Sequence, residues 1–147
     1  MMSLNLPPYD YKLKKADGKL FIFDVIRKKY TYLSPEEWVR QHFVNYLINE
    51  MKYPRSLITV EEGLSYNQRL KRTDIVIFSR KGTPWMIIEC KAPSVSLSEH
   101  TLFQASVYNV TLRAEYITIT NGISHLFAQV DYQNNKTIWL EALPPYI

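Results

Sequence analysis

"DIVIFSRKGTPWMIIECK", residues 74 to 91, contains two apolar runs of strand composition joined by Ser-Arg-Lys-Gly-Thr-Pro. Ile, Val, Phe and Trp favour extended backbone, and Gly82 and Pro84 punctuate the middle. The stretch therefore reads as an antiparallel hairpin of strands 74–79 and 85–91. Side chains alternate along a strand, so Met86, Ile88 and Cys90 fall on one face, expected to be buried, while Ile87, Glu89 and Lys91 share the other. Glu89 and Lys91 are expected to project outward together. The start of the first strand lies beside the end of the second, which brings Asp74 toward them.

Upstream, "SPEEWVRQHFVNYLINEMKYP" at 34–54 reads as a helix. Ser34 is placed to N-cap, Pro35 takes the first helical position, and Glu37 completes a capping box. Val39, Phe43, Tyr46, Leu47 and Glu50 follow the helical period, the last frayed toward solvent before Pro54, so that one face packs on a core. "KLFIFDV" at 19–25, after the Asp17-Gly18 turn, reads as a strand with "KKYTYL" as its hairpin partner. Residues 1–18 read as an irregular arm with room for a short strand. "SLITVEE" supplies another strand before the hairpin.

Downstream, "SEHTLFQASVYNVTLRA" at 98–114 reads as a second helix, with Phe103, Val107, Val110 and Ala114 as its expected buried stripe. "EYITIT", the Asn121-Gly122 turn, "ISHLFAQV" and "TIWL" add up to three more strands. The order predicts one α/β domain, a mixed sheet of about five strands flanked by helices.

The 147 residues suffice for one domain with a core, and 46% hydrophobic with 22% charged residues excludes a largely disordered chain. Apolar runs are far shorter than the roughly 20 residues needed to span a bilayer, and no signal peptide is evident, so a cytoplasmic location is expected. The single cysteine, Cys90, excludes an internal disulfide framework and a cysteine-based zinc cluster. It reads as a buried, inert thiol. His42, His100 and His125 have no metal-ligand spacing. Residues 1–91 hold 16 of the 18 Lys and Arg against 10 of the 14 acids, net +6 in a chain of +4. Such a basic half attracts anionic partners, nucleic acid among them.

Two carboxylates at one end of a hairpin offer hard oxygen ligands to Mg²⁺, which usually takes one or two carboxylates and fills its shell with water and phosphate oxygens. A lysine beside them can orient a metal-bound water and offset charge building on phosphate. A Glu-x-Lys alone is commonly an edge-strand ion pair of little worth. The conjunction with Asp74 in apolar strands, where an unpaired charge is costly, raises the catalytic reading.

At these residues the chain resembles the PD-(D/E)xK nuclease superfamily, with "TD" at 73–74 and "ECK" at 89–91. It resembles in particular the N-terminal nuclease domain of type I restriction enzyme R subunits. "PEEWVRQ" at 35–41 looks like the first helix of that family, "FQASVYN" like its Gln-x-x-x-Tyr element, and "ITNG" at 119–122 is also similar. The resemblance spans about residues 34–123 and implies a restriction-endonuclease-like fold and Mg²⁺-dependent cleavage of DNA, with Mn²⁺ able to substitute. It implies that Asp74, Glu89 and the Cys90 backbone carbonyl bind the metal, with Glu37 as a further acid. Lys91 positions the water, Gln104 and Tyr108 support the site, and Arg69, Lys71 and Arg72 are candidate phosphate contacts.

Thr73 replaces the proline of the motif name. No glycine begins a phosphate-binding Gly-x-x-x-x-Gly-Lys loop, so no ATP-driven motor is expected here. Separate motor or specificity subunits, or a homodimer, are then the protein partners to be expected. Two other readings keep the fold: a non-catalytic nucleic-acid-binding or assembly module, and a dimeric junction-resolving nuclease.

Overall fold

The hairpin expected from residues 74–91 forms the middle of a six-stranded sheet. The computed structural model describes residues 2–60 and 74–147. Its elements are β1 (Leu13–Ala16), β2 (Lys19–Asp24), β3 (Lys29–Tyr32), α1 (Pro35–Asn49), β4 (Ile58–Val60), β5 (Ile75–Phe78), β6 (Pro84–Cys90), α2 (Glu99–Leu112), β7 (Tyr116–Thr120), β8 (His125–Asp131) and β9 (Lys136–Leu140). β4 to β9 lie in sequence order in one sheet, and β1 to β3 make a separate three-stranded meander. The main sheet thus has one strand more than expected, and the N-terminal arm contributes β1 to the second sheet.

Among the described residues only β6 and β7 run parallel, because α2 carries the chain back between them; the other neighbours described in the sheet are antiparallel. That crossover decides what β6 must look like. Helices on both sides of the sheet bury both faces of the strand, which explains its near-continuous apolar run. Met86, Ile88 and Cys90 pack with Val39, Phe43, Val44 and Leu47 on the α1 side. Ile87 packs with Val76, Leu102, Ala105 and Ile117 on the α2 side. Each fully buried large apolar side chain contributes about 1.5–3 kcal/mol, so these two layers dominate the stability.

α1 starts where the sequence places it. Pro35 opens the helix and the Ser34 hydroxyl accepts the Glu37 N–H at 3.0 Å. The other half of the capping box is not made: the Ser34 N–H bonds to the Tyr32 carbonyl, and the Glu37 side chain turns inward to Arg40 and Gln41. Val39, Phe43 and Leu47 are buried as expected, and Glu50 is exposed beyond the helix end, as expected of a frayed last position.

α2 overturns the expected stripe. Phe103, Val107 and Val110 are 65%, 57% and 73% exposed, and Thr101, Leu102, Ala105 and Asn109 face the sheet instead. Buried Asn109 supplies the physical reason. Its side chain donates to the Ala114 carbonyl (3.0 Å) and accepts the Ala114 N–H (2.8 Å), closing the helix end at Arg113, which adopts a left-handed conformation. Small Ala105 then lets the helix approach β6 and β7. Of the expected stripe only Ala114 is buried.

The first residues are tied down rather than irregular throughout. The Asn5 N–H bonds to the Gly122 carbonyl at 2.8 Å, and the Trp38 indole donates to the Met2 carbonyl at 2.8 Å. Gly122 has φ of +85° and lies so close to Leu4 that a Cβ would stand 2.7 Å from its methyl. Only glycine fits there. Among the described residues no helix is long and apolar enough to cross a membrane.

Candidate active site

Asp74 stands immediately before β5, one residue beyond the last paired rung, Ile75 with Ile88. Its N–H donates to the Ile88 carbonyl at 3.1 Å, and its Oδ2 accepts the Cys90 N–H at 2.6 Å. The carboxylate is thereby pinned against the backbone that carries Glu89. Lys91 Nζ lies 2.9 Å from Glu89 Oε2, as alternation along β6 requires for residues two apart. The pair is not the outward one expected from sequence. Glu89 is 3% exposed, on the face of β6 whose Ile87 packs against Leu102 and Ala105 of α2.

The structure adds a partner that sequence reasoning did not name. Arg40 Nη2 donates to Asp74 Oδ1 at 2.6 Å, while its Nη1 bonds to Glu37. The Gln41 amide continues the chain of contacts, donating to Glu37 Oε2 at 2.7 Å and to Asp24 Oδ2 at 3.1 Å. Asp24 in turn accepts from the Arg27 Nε at 2.7 Å. A continuous buried polar chain, Asp24–Gln41–Glu37–Arg40–Asp74, therefore joins β2 to the head of β5 through α1. Glu37, Arg40 and Gln41 at i, i+3 and i+4 share a helix face, which is the local part of the chain that "EEWVRQ" carries; the distant partners Asp24 and Asp74 have no local signal.

Electrostatics fit the geometry. Burial works against the Arg40 cation, but the Asp74 and Glu37 carboxylates outweigh it and raise its pKa, so it stays charged. Burial likewise pushes Asp24 upward, and the Arg27 N–H, the Arg27 guanidinium and the Gln41 amide reverse this, leaving it below its usual value of 3.8. Cys90 is held neutral by burial and by the neighbouring Asp74, against a smaller opposing effect of Arg40. It is an inert thiol, as its sequence context indicates.

Gln104 and Tyr108, one turn apart, are half-buried on a side of α2 that is neither its sheet-facing side nor its apolar stripe. Gln104 makes no hydrogen bond to Asp74 or Glu89 among the described residues. Arg69, Lys71 and Arg72 lie outside the described residues. Among the described residues, no three His, Cys, Asp or Glu side chains gather as a metal-binding group. The donor chemistry still suits Mg²⁺, whose usual protein share is one or two carboxylates. Two carboxylates, Asp74 and Glu89, are available for that share at one end of the β5–β6 pair.

A mixed sheet sandwiched between two helices, with acids and a lysine at the end of its central hairpin, defines a restriction-endonuclease-like α/β domain. The family model for the N terminus of type I restriction enzyme R proteins (HSDR_N) matches residues 35–144, and the chain belongs to this family. It is thus a restriction-enzyme-related nuclease domain. No curated protein matches the chain significantly.

Proposed function

We propose that this chain is a Mg²⁺-dependent DNA endonuclease acting at Asp74, Glu89 and Lys91. The observation that carries the reading is the junction at the end of β6. There the Asp74 carboxylate is fixed on the Cys90 amide and Lys91 is held 2.9 Å from Glu89. Asp74 and Glu89, with the Cys90 backbone carbonyl, would hold Mg²⁺ or Mn²⁺, and Glu37 is a more distant acid of the same cluster. Bound there, the metal supplies Lewis acidity to a water and to a phosphate oxygen. Lys91 orients the attacking water and offsets charge on the phosphate. Gln104 and Tyr108 support the substrate from α2, and Arg69, Lys71 and Arg72 contact its backbone. DNA and the remaining subunits of a restriction assembly are the partners this function requires.

Supercoiled plasmid incubated with Mg²⁺ or Mn²⁺ tests this. Asp74→Asn, Glu89→Gln and Lys91→Ala are each expected to lower nicking at least about a hundredfold, with unchanged circular dichroism. Equal cleavage by wild type and Lys91→Ala would remove Lys91 from the mechanism.

One observation favours a second reading, a nucleic-acid-binding or assembly module without turnover. Arg40 already neutralises Asp74 at 2.6 Å, which is sufficient to explain a buried carboxylate structurally. Tight DNA binding with no cleavage under either metal would select this reading.

A further inference from the structure

The meander β1–β3 precedes the residues matched by the family, and none of the site chemistry uses its outer face. Strand register fixes what that face carries. Phe21 stands opposite Tyr32 and Phe23 opposite Tyr30, and directly opposed residues share a face. The two pairs make edge-on ring contacts at 6.1 and 5.3 Å between centroids. On the other side of β2, Lys14 stands opposite Phe21, Ala16 opposite Lys19, and the Phe23 N–H bonds to the Lys12 carbonyl at 3.0 Å. Lys12, Lys14 and Lys19 thus join the aromatic face. Two of these ammonium groups lie over its rings, Lys12 at 5.8 Å from Phe23 and Lys14 at 5.6 Å from Tyr30.

The inner face carries the residues that hold the meander to the domain. Ile22 and Asp24 are fully buried there, Asp24 through Gln41 and Arg27. The outer face remains in solvent, with Tyr32 55% and Tyr30 38% exposed and the two phenylalanines half-buried. A solvent face that only completes a fold does not need four aromatic rings. Charge points the same way. Residues 12–32 contain seven Lys and Arg against Asp17 and Asp24, net +5, so the rest of the chain is −1.

We propose that this face binds single-stranded nucleic acid, with bases stacked on Phe21, Phe23, Tyr30 and Tyr32 and phosphates paired with Lys12, Lys14 and Lys19. The layout favours this polymer over an anionic membrane. Lys12 and Lys14 reach over the rings from the β1 side and Lys19 opens β2, while the aromatics fill β2 and β3. Flexible ammonium groups thus border rings that bases can stack on, which matches a strand with phosphates on one side and bases on the other. A duplex keeps its base faces stacked internally and cannot use such rings. The inference deepens the nuclease reading and rests on it for the polymer being a nucleic acid. The buried chain from Asp24 to Asp74 fixes the platform relative to the candidate active site.

Binding of a fluorescein-labelled oligothymidylate, followed by anisotropy in EDTA over a range of salt, tests the proposal without hydrolysis. Tyr30→Ala/Tyr32→Ala is expected to weaken binding roughly ten- to a hundredfold with little change in salt dependence. Lys12→Ala/Lys14→Ala is expected to reduce the slope of log affinity against log salt by about 1.4. A blunt duplex should be indifferent to the tyrosine substitutions, and an oligouridylate run in parallel identifies which sugar the surface accepts. Wild-type affinity in both folded variants would overturn the proposal. So would binding to phosphatidylserine vesicles with none to oligonucleotides. A protein that binds the single strand but never cuts loses the nuclease reading alone, and one that cuts while both variants bind normally loses the platform alone.

Discussion

The two helices flanking the sheet obey opposite rules. α1 buries Glu37, Arg40, Gln41 and His42, whereas α2 leaves Phe103, Val107 and Val110 in solvent. Hydropathy ranks these residues in the reverse order. What differs is the availability of partners. Every one of the four polar residues of α1 finds a hydrogen-bonding group in reach: Glu37 and Arg40 bond each other, Arg40 reaches Asp74, Gln41 spans Glu37 and Asp24, and His42 Nδ1 meets the Trp38 carbonyl at 2.8 Å. On α2 the buried position that decides the orientation is also polar, Asn109, because only an amide there closes the helix end. Burial follows satisfied polarity as much as apolar area.

Removing the central partner is the most severe way to break this contrast. Arg40→Met leaves the Glu37 and Asp74 carboxylates buried without their shared cation, and a loss of about 3–5 kcal/mol is expected. Urea unfolding measures it. Asp74→Asn in the same background should recover part of the loss, since one of the two stranded charges is gone. If the double variant is as unstable as the sum of the single ones, Arg40 and Asp74 are not energetically coupled and the polar chain is only a set of neighbours.

His42 gives a smaller and pH-dependent effect. Burial pushes its pKa below 6.5, against a weaker upward pull from the Trp38 carbonyl. The unfolded chain therefore binds a proton more readily, so stability is greatest above pH 6.5 and declines as pH falls toward the folded value. His125 is lowered in the same way by burial, with the Asn5 carbonyl opposing it, and adds a decline of the same sign. Each contributes at most about 1.4 kcal/mol per pH unit. Asp24 acts in a separate window: with its pKa held below 3.8, its stabilisation is complete above that value and is lost only as pH falls below it. His42→Phe should flatten the stability profile between pH 7.5 and 5 and leave the loss below pH 4 intact. A profile as steep as wild type would place the proton uptake at His125.

Much of this is legible in the sequence. The hairpin of β5 and β6, the Ser34 start of α1 and the Asn121-Gly122 turn each rest on local chemistry, turn residues and caps acting within a few positions. The meeting of Asp74 with the β6 end follows from antiparallel pairing alone. Arg40 was not legible, because its partner lies 34 residues away and a helical arginine near two glutamates reads as a surface pair. The depth of Glu89 was missed for a related reason. Alternation tells which face a side chain takes, and only the packing of α2 across the parallel β6–β7 step determines that this face is covered. The N-terminal sheet is legible only as an arm and a hairpin, because lysine-rich strands with outward aromatics carry a weak core signal.

The smallest expected effect is at Phe103, and it is informative beside its neighbour Leu102, where the two readings of α2 diverge most sharply. Leu102 is buried against Val76 and Ile87, and Phe103 beside it is exposed. Leu102→Ala should cost about 2–5 kcal/mol by emptying core volume, while Phe103→Ala should stay within about 0.5 kcal/mol of wild type. Successive helical residues are rotated by roughly 100°, so only a larger rotation of α2, one that turns the Thr101/Leu102 side away from the sheet, would exchange these outcomes. A large loss at Phe103 with tolerance at Leu102 would restore the stripe of Phe103, Val107 and Val110 to the core. It would also carry Asn109 off the sheet and break its bonds to Ala114. The two substitutions therefore test the orientation of the helix that carries Gln104 and Tyr108, and with it the side from which those residues can approach a substrate.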